Sequence, residues 1–378
     1  MPISALAAIV ISSIAAMPGN VLPVLGGLLA DFRGLDEGRL GLVVASGTLA
    51  GLVTSLTAPH WVGRVNLRYA AGAALLIAAV GLLGLRYAPG IATLFVAQAL
   101  CGASNVVIAS SCLTVIAKLP NPTRAYSIKL TTDVTFAGAF LALIPFTHVA
   151  LAGFVATLAA ISAATLPLAR KLPQRAAAEF RVDGTPARLR DAPASAWMLL
   201  AAIVVFYVGG IGVWAFLERL AVHSNLDHAT ASNAIAVGLF VGVAGSLSAA
   251  IFAGGRRARV WPETLGGGVL VGSFLMLTYF DGALEFYVAV FVFNASWSFF
   301  IPFVVGLVAA RDASGRMASL VPGTVMIGGV LGPVLFGGLV RGFGYGVAMT
   351  AMTAIVAISI AGYVAVARVP RASPDRAQ

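Results

Sequence analysis

Charge is scarce in this chain. Acids and bases together make up 10% of its 378 residues, whereas a soluble domain carries about 25%. That leaves too little polar material to coat a water-facing globule of this length. Cysteine is nearly absent: Cys101 and Cys112 are the only two. They lie eleven residues apart in one apolar run, about 16 Å of helical rise, too far for a disulfide, so they read as small buried hydrophobes. Histidine occurs four times. His60 and His148 fall at the ends of apolar segments. His223 and His228 are five apart in a short loop with no cysteine near them, so neither a metal nor a cofactor is expected. The chain has no H-E-x-x-H, no phosphate-binding glycine loop of the Walker type and no G-x-S-x-G. Those absences speak against ATP-driven transport and common membrane hydrolase chemistry, and the chain is not read as an enzyme.

Apolar sequence is what is present. Hydrophobic residues reach 60% and the mean hydropathy is +0.96, so the expected solvent is lipid. A helix needs roughly 20 apolar residues to cross a bilayer. By that measure twelve segments appear, at 4–29, 38–58, 67–87, 90–117, 126–146, 148–169, 196–220, 229–253, 260–280, 283–310, 316–340 and 344–367. A β-barrel would show ten-residue stretches of alternating polarity instead. The expected fold is all-α: two six-helix bundles at 1–169 and 196–367, a basic linker at 170–195 and a short tail at 368–378. The apolar start lacks an early Lys or Arg and continues to Leu29, so it reads as a retained first membrane helix rather than a cleaved signal.

The net charge of +10 does not read as a nucleic-acid surface, because the basic residues sit in short loops rather than on a face. With the N-terminus inside, the outer side holds only Arg33, Arg39, Arg86, Arg219 and Arg341 of the 24 Lys and Arg residues. The other nineteen, six of them in the linker, fall inside. The positive-inside rule then makes both termini cytoplasmic. The excess of arginine over lysine and the abundant alanine suggest a bacterial inner-membrane protein.

Two loops carry a family likeness. Ala58-Pro59-His60-Trp61-Val62-Gly63-Arg64-Val65-Asn66-Leu67-Arg68 resembles the G-x-x-x-D-R-x-G-R-R signature of the major facilitator superfamily. Arg64 and Arg68 occupy basic positions of that signature, Gly63 replaces its acid and Asn66 its later glycine. Asp312-Ala313-Ser314-Gly315-Arg316, followed by Gly328-x-x-x-Gly332-Pro333-x-x-x-Gly337-Gly338, resembles patterns recurring in bacterial members. The resemblance implies a secondary transporter whose central cavity is lined mainly by helices one, four, seven and ten. Independently of any family, Gly328, Gly332 and Gly337–Gly338 predict close helix approach, and Pro333 a bend.

Matched helix interruptions in two halves point to a transport site. The first helix is expected to break at Met17-Pro18-Gly19-Asn20, and the seventh at Gly209, Gly210 and Gly212. Polar or aromatic stripes within spans are costly unless they are used or paired. Helix four offers Gln98, Gly102 and Asn105 on one face. Helix seven offers Tyr207, Trp214 and Glu218, helix ten Asn294 and Trp297, and helix one Asn20. Asp133, four residues after Lys129 on one face, either neutralises that lysine or carries a coupling proton. Glu218 is the rival proton site, or an interfacial residue beside Arg219. No fixed cation sits at mid-depth, which favours a neutral, weakly charged or amphipathic organic solute. The sequence therefore predicts a monomeric, proton-coupled solute transporter working by alternating access. An ion-independent facilitator and a non-transporting membrane enzyme or receptor are the alternatives.

Overall fold

The computed structural model describes residues 1–62, 64–116, 119, 122–143, 150–175, 194–253, 261–311 and 316–368. The linker between 176 and 193, the loop at 254–260, Gly63, Asp312–Gly315 and the tail beyond 368 lie outside the described residues.

An apolar chain in lipid must satisfy its own backbone hydrogen bonds, and a helix does so within one segment. The described residues accordingly form fifteen helices and no strand. The first seven are α1 (Ile3–Asn20), α2 (Leu22–Arg33), α3 (Glu37–Trp61), α4 (Leu67–Tyr87), α5 (Ile91–Ile116), α6 (Pro122–Leu143) and α7 (Leu151–Ala164). Then come α8 (Leu166–Ala169), α9 (Ala194–Ala215), α10 (Leu217–His223) and α11 (His228–Ala253). The last four are α12 (Trp261–Tyr279), α13 (Ala283–Arg311), α14 (Arg316–Phe343) and α15 (Tyr345–Arg368). Ten spans among them are long and apolar enough to cross a membrane. The apolar part of α12, Thr264–Tyr279, is shorter.

Short polar turns delimit the helices. Asp36 accepts the Arg39 backbone N–H at 2.9 Å and Asn66 accepts that of Arg68 at 3.0 Å, capping α3 and α4. Asp227 accepts the Thr230 N–H at 2.6 Å ahead of α11, and that hydrogen bond holds its carboxyl below the usual range. Gly34 (φ 60°) ends α2 in the left-handed conformation that glycine adopts without strain. Arg33 folds onto the C-terminal end of α4, donating to the carbonyls of Leu85, Arg86 and Ala88 at 2.7–3.3 Å.

The helix pairing repeats along the chain. In the first part α3 packs on α5, α4 on α5 and α7, and α1 on α6. In the second, α11 packs on α13, α12 on α13 and α15, and α9 on α14. The two parts meet where α3 lies along α14 and α6 along α11. The α3–α14 contact is intimate near one end of the molecule, which carries the α2–α3, α10–α11 and α14–α15 turns and is called the turn end below. A side chain at Gly41 would run into the Pro333 carbonyl, and one at Gly337 into that of Glu37. Toward the end that carries the termini this cover is lost. α3 is buried at Leu40, Val43, Val44 and Gly47, yet from Leu52 to Trp61 none of its described side chains is buried.

Two expectations need correction. The seventh segment does not break at Gly209–Gly212. α9 runs unbroken to Ala215, and the discontinuity is at Phe216. The glycines serve close approach instead: a Cβ at Gly210 would enter the Trp297 ring, one at Gly209 would meet Val356, and one at Gly212 would lie 3.0 Å from the Gly332 carbonyl oxygen. The first segment is discontinuous at Val21, one residue beyond the expected stretch, and Pro18 lies within α1. In α14, Gly328, Gly332 and Gly337 are close-approach positions as expected, with Gly328 and Gly332 against α9. Gly338 faces open space.

Candidate solute cavity and the polar contacts at the turn end

A cavity of about 180 Å³ lies among α1, α3, α4 and α5, with Met326 of α14 reaching it from the second part of the chain. Pro18 and Gly19 of α1 form part of its wall. α5 contributes Gln98, Gly102 and Asn105, which share one helix face because they are four and seven residues apart. Gly102 lets the α3 backbone come close, since any Cβ there would strike the Gly47 carbonyl. The two flanking amides are thereby held at the wall. Neither Gln98 nor Asn105 has a side-chain hydrogen-bond partner among the described residues. The rest of the lining is chiefly aliphatic, and among the described residues no carboxylate, ammonium, guanidinium or imidazole belongs to it.

The candidates from the second part of the chain, and Asn20, stand outside that lining. Tyr207 and Trp297 meet edge to face at 5.4 Å, Trp297 stacks on Phe206 at 4.7 Å, and Trp214 stacks on Phe293 at 6.2 Å. The Asn294 amide donates to the Val290 carbonyl one turn back at 3.0 Å, so one of its two N–H donors is engaged within its own helix. Trp214 is the exception that reaches the cavity wall: its indole N–H donates to the Gly19 carbonyl at 3.3 Å. A residue of α9 thus holds the backbone beside the Pro18 position of α1.

At the turn end a polar network joins the two parts of the chain. Arg219 pairs with Asp31 of α2, and with Glu37 of α3 at 3.4 Å. Glu37 also accepts the Tyr345 hydroxyl at 2.9 Å. His228 Nδ1 lies 2.5 Å from the carboxylate of Glu218, and its Nε2 lies 3.7 Å from Asp31. Glu218 is 1% exposed and is pressed against Gly27, where any side chain would collide with the carboxylate. Its second oxygen has no partner among the described residues. Glu218 is therefore not an interfacial side chain reaching for water. It is enclosed between α2 and α10.

The other acid, Asp133, is buried with Lys129, their charged atoms 2.5 Å apart. The Ser13 hydroxyl of α1 donates to the Lys129 carbonyl at 3.4 Å. Asp133 keeps one carboxylate oxygen unpartnered among the described residues. In the signature loops, Arg68 donates to the Leu172 carbonyl at 2.5 Å and the Leu67 N–H to that of Gln174 at 2.9 Å, tying the loop after α3 to the start of the linker. Arg64 is exposed and bonds to the His60 carbonyl at 3.0 Å. Asp312 and Gly315 lie outside the described residues, and Arg316 opens α14.

Nothing local in the sequence connects Asp31, Glu37, Arg219 and Tyr345, or marks Thr48 and Met326 as cavity residues. Each connection joins helices far apart in sequence, and no local pattern signals it.

No family model and no curated protein matches the sequence. Solved structures do. A variant of the nucleoside transporter NupG superposes with a TM-score of 0.81 at 12% identity, over 96% of this chain and 99% of that one. A bacterial homolog of the human lysosomal transporter Spinster, in an inward-facing and unoccupied conformation, gives 0.72 at 14% identity over 98% of both chains. A D-xylose-proton symporter gives 0.72 at 12% identity over 96% of this chain and 95% of that one. At these identities the likeness is one of fold: the chain has the fold of the major facilitator transporters.

Proposed function

We propose that this chain is a secondary transporter that moves a small organic solute across a bacterial inner membrane by alternating access, with proton coupling. Its twelve spans are counted by joining α1 with α2, α7 with α8 and α9 with α10. They form halves at 1–169 and 196–367, joined by the linker 170–195 and followed by the tail 368–378, with both termini cytoplasmic. The repeated helix pairing supports the two halves, and the excess of basic residues at the end carrying the termini supports the orientation. The protein is read as a monomer. It is read as a transporter rather than an enzyme because the solved structures it resembles are transporters.

The observation that carries this reading is the uneven seam between the halves. α3 and α14 are in backbone contact at the turn end, and α3 loses its cover toward the other end. A seam tightly packed at one end and uncovered along α3 toward the other fits one of the two states that alternating access needs. Trp214, through Gly19, and the Arg219 network are contacts that must separate when the turn end opens. Asp133 and Glu218 are the coupling candidates, because each is a buried acid with one unpartnered oxygen. Asn20, Tyr207, Asn294 and Trp297 remain candidates for the same solute in the other state.

Spin-label distances test the reading. Gly90→Cys with Gly282→Cys reports the turn end, and Thr57→Cys with Gly306→Cys the opposite end, on a background lacking Cys101 and Cys112. The three glycines have open space where a side chain would project. Alternating access predicts that changing pH from 8 to 5, or adding solute, lengthens one distance while shortening the other. Distances that change together, or stay fixed under every condition, would sink it.

A further inference from the structure

We infer that the cavity takes an uncharged solute bearing a planar edge of adjacent hydrogen-bond donor and acceptor, as in a lactam or primary amide. This rests on reading the cavity as the solute site of the proposed transporter.

Two free amides on one wall carry the inference. Gln98 and Asn105 each present an N–H donor and a C=O acceptor in one plane, and neither is engaged by another described residue. Their backbone positions are about 10 Å apart along α5, with the side-chain-free Gly102 between them. Asn294 differs, because one of its N–H donors already bonds within its own helix. An amide left unmatched when water is displaced is costly. A solute that displaces that water must therefore return both a donor and an acceptor, and another amide edge does so in a single plane.

The charge of the solute follows from the rest of the wall. A carboxylate or ammonium entering this lining would lose its water and meet no opposite charge. Aliphatic side chains such as Leu22, Leu25, Leu75 and Leu82 suit the apolar part of a solute, and Met326 can adapt to the face of a ring. A volume of about 180 Å³ lies below the 300–1,000 Å³ typical of drug-sized ligands. That fits a single ring better than a disaccharide or a lipid.

The test is calorimetric titration of the full detergent-purified chain with three matched probes. Uracil has the neutral lactam edge, 1,3-dimethyluracil has its donors blocked, and orotate is the same ring carrying a carboxylate. We expect uracil to bind and the other two to bind at least about tenfold more weakly, the size of one lost hydrogen bond. Gln98→Leu and Asn105→Leu should each weaken uracil by a similar factor, with both spin-label distances kept as the control for fold. The inference is overturned by any of three results: orotate or dimethyluracil binding as tightly as uracil, both leucine variants binding normally, or no heat with uracil up to millimolar concentration. The last result would mean that the amides hold water only. Binding is read without transport, so failure here alongside opposed distance changes condemns the solute class alone. Binding with immobile ends condemns the transporter reading alone.

Discussion

Replacing Arg219 with glutamine should loosen the turn end by a calculable amount. The guanidinium pairs with Asp31 on α2 and Glu37 on α3, so both contacts cross from one half to the other. Charged hydrogen bonds contribute about 1.5–3 kcal/mol each when well buried. Here the Arg219 and Glu37 side chains are each 19% exposed and Asp31 is 43% exposed, so solvent screening reduces the pair to about 1–2 kcal/mol in total. That is about a 5- to 30-fold change in the balance between closed and open turn ends. If the open form starts near 1%, Arg219→Gln raises it to roughly 5–25%. The Gly90/Gly282 spin pair would register this as a second, longer distance. Raising ionic strength should move the parent protein in the same direction, because part of the network is screenable. Arg219→Lys should fall between the two, since it keeps the charge and loses the forked geometry. A variant that loses thermal stability while its distance distribution stays single and unshifted would show that the network only supports the fold.

Four further substitutions probe the packing and the polar contacts. Gly332→Ala puts a methyl against the Val208 carbonyl and the Gly212 amide nitrogen and should cost about 1–3 kcal/mol in thermal unfolding. Gly338→Ala, in open space, should be neutral or slightly stabilising because alanine favours helix. Asp133→Asn strands the buried Lys129 ammonium and should destabilise by about 3–5 kcal/mol. Adding Lys129→Met should recover most of that in the same melting assay, whereas a strictly additive double variant would argue against the pair. Trp214→Phe removes one cross-half hydrogen bond, worth about 1 kcal/mol. It should therefore shift the turn-end distance population less than Arg219→Gln does.

Helix placement was largely legible in the sequence because lipid imposes a ruler on it. The expected segment 67–87 coincides with α4, and 90–117 matches Ile91–Ile116 within a residue. The amides Gln98 and Asn105 were legible for the same reason, since a polar group in an apolar span is conspicuous. Glycine was harder to interpret. Gly209, Gly210 and Gly212 fit a hinge and a packing seat equally well, and only the position of Trp297, Val356 and Gly332 decides for the seat. Charge was harder still. Arg219 reads as an outer-loop residue until the fold brings Asp31 and Glu37, some 180 residues earlier, against it. The aromatic stripe of Tyr207 and Trp297 was visible, but not that its rings pack on one another and on Phe206 rather than line the cavity.

The grip of Arg33 on the last carbonyls of α4 has a mechanical side. Four hydrogen bonds rivet the far end of α2 to a different helix, while its near end meets α1 at Val21, whose N–H donates to the Met17 carbonyl at 2.9 Å. The rivet couples α2 to α4, so the two should move as one lever whose compliant point is the helix irregularity at Val21. Flexure of the first span would then fall on α1, the piece that carries Pro18 and Gly19 along the cavity wall.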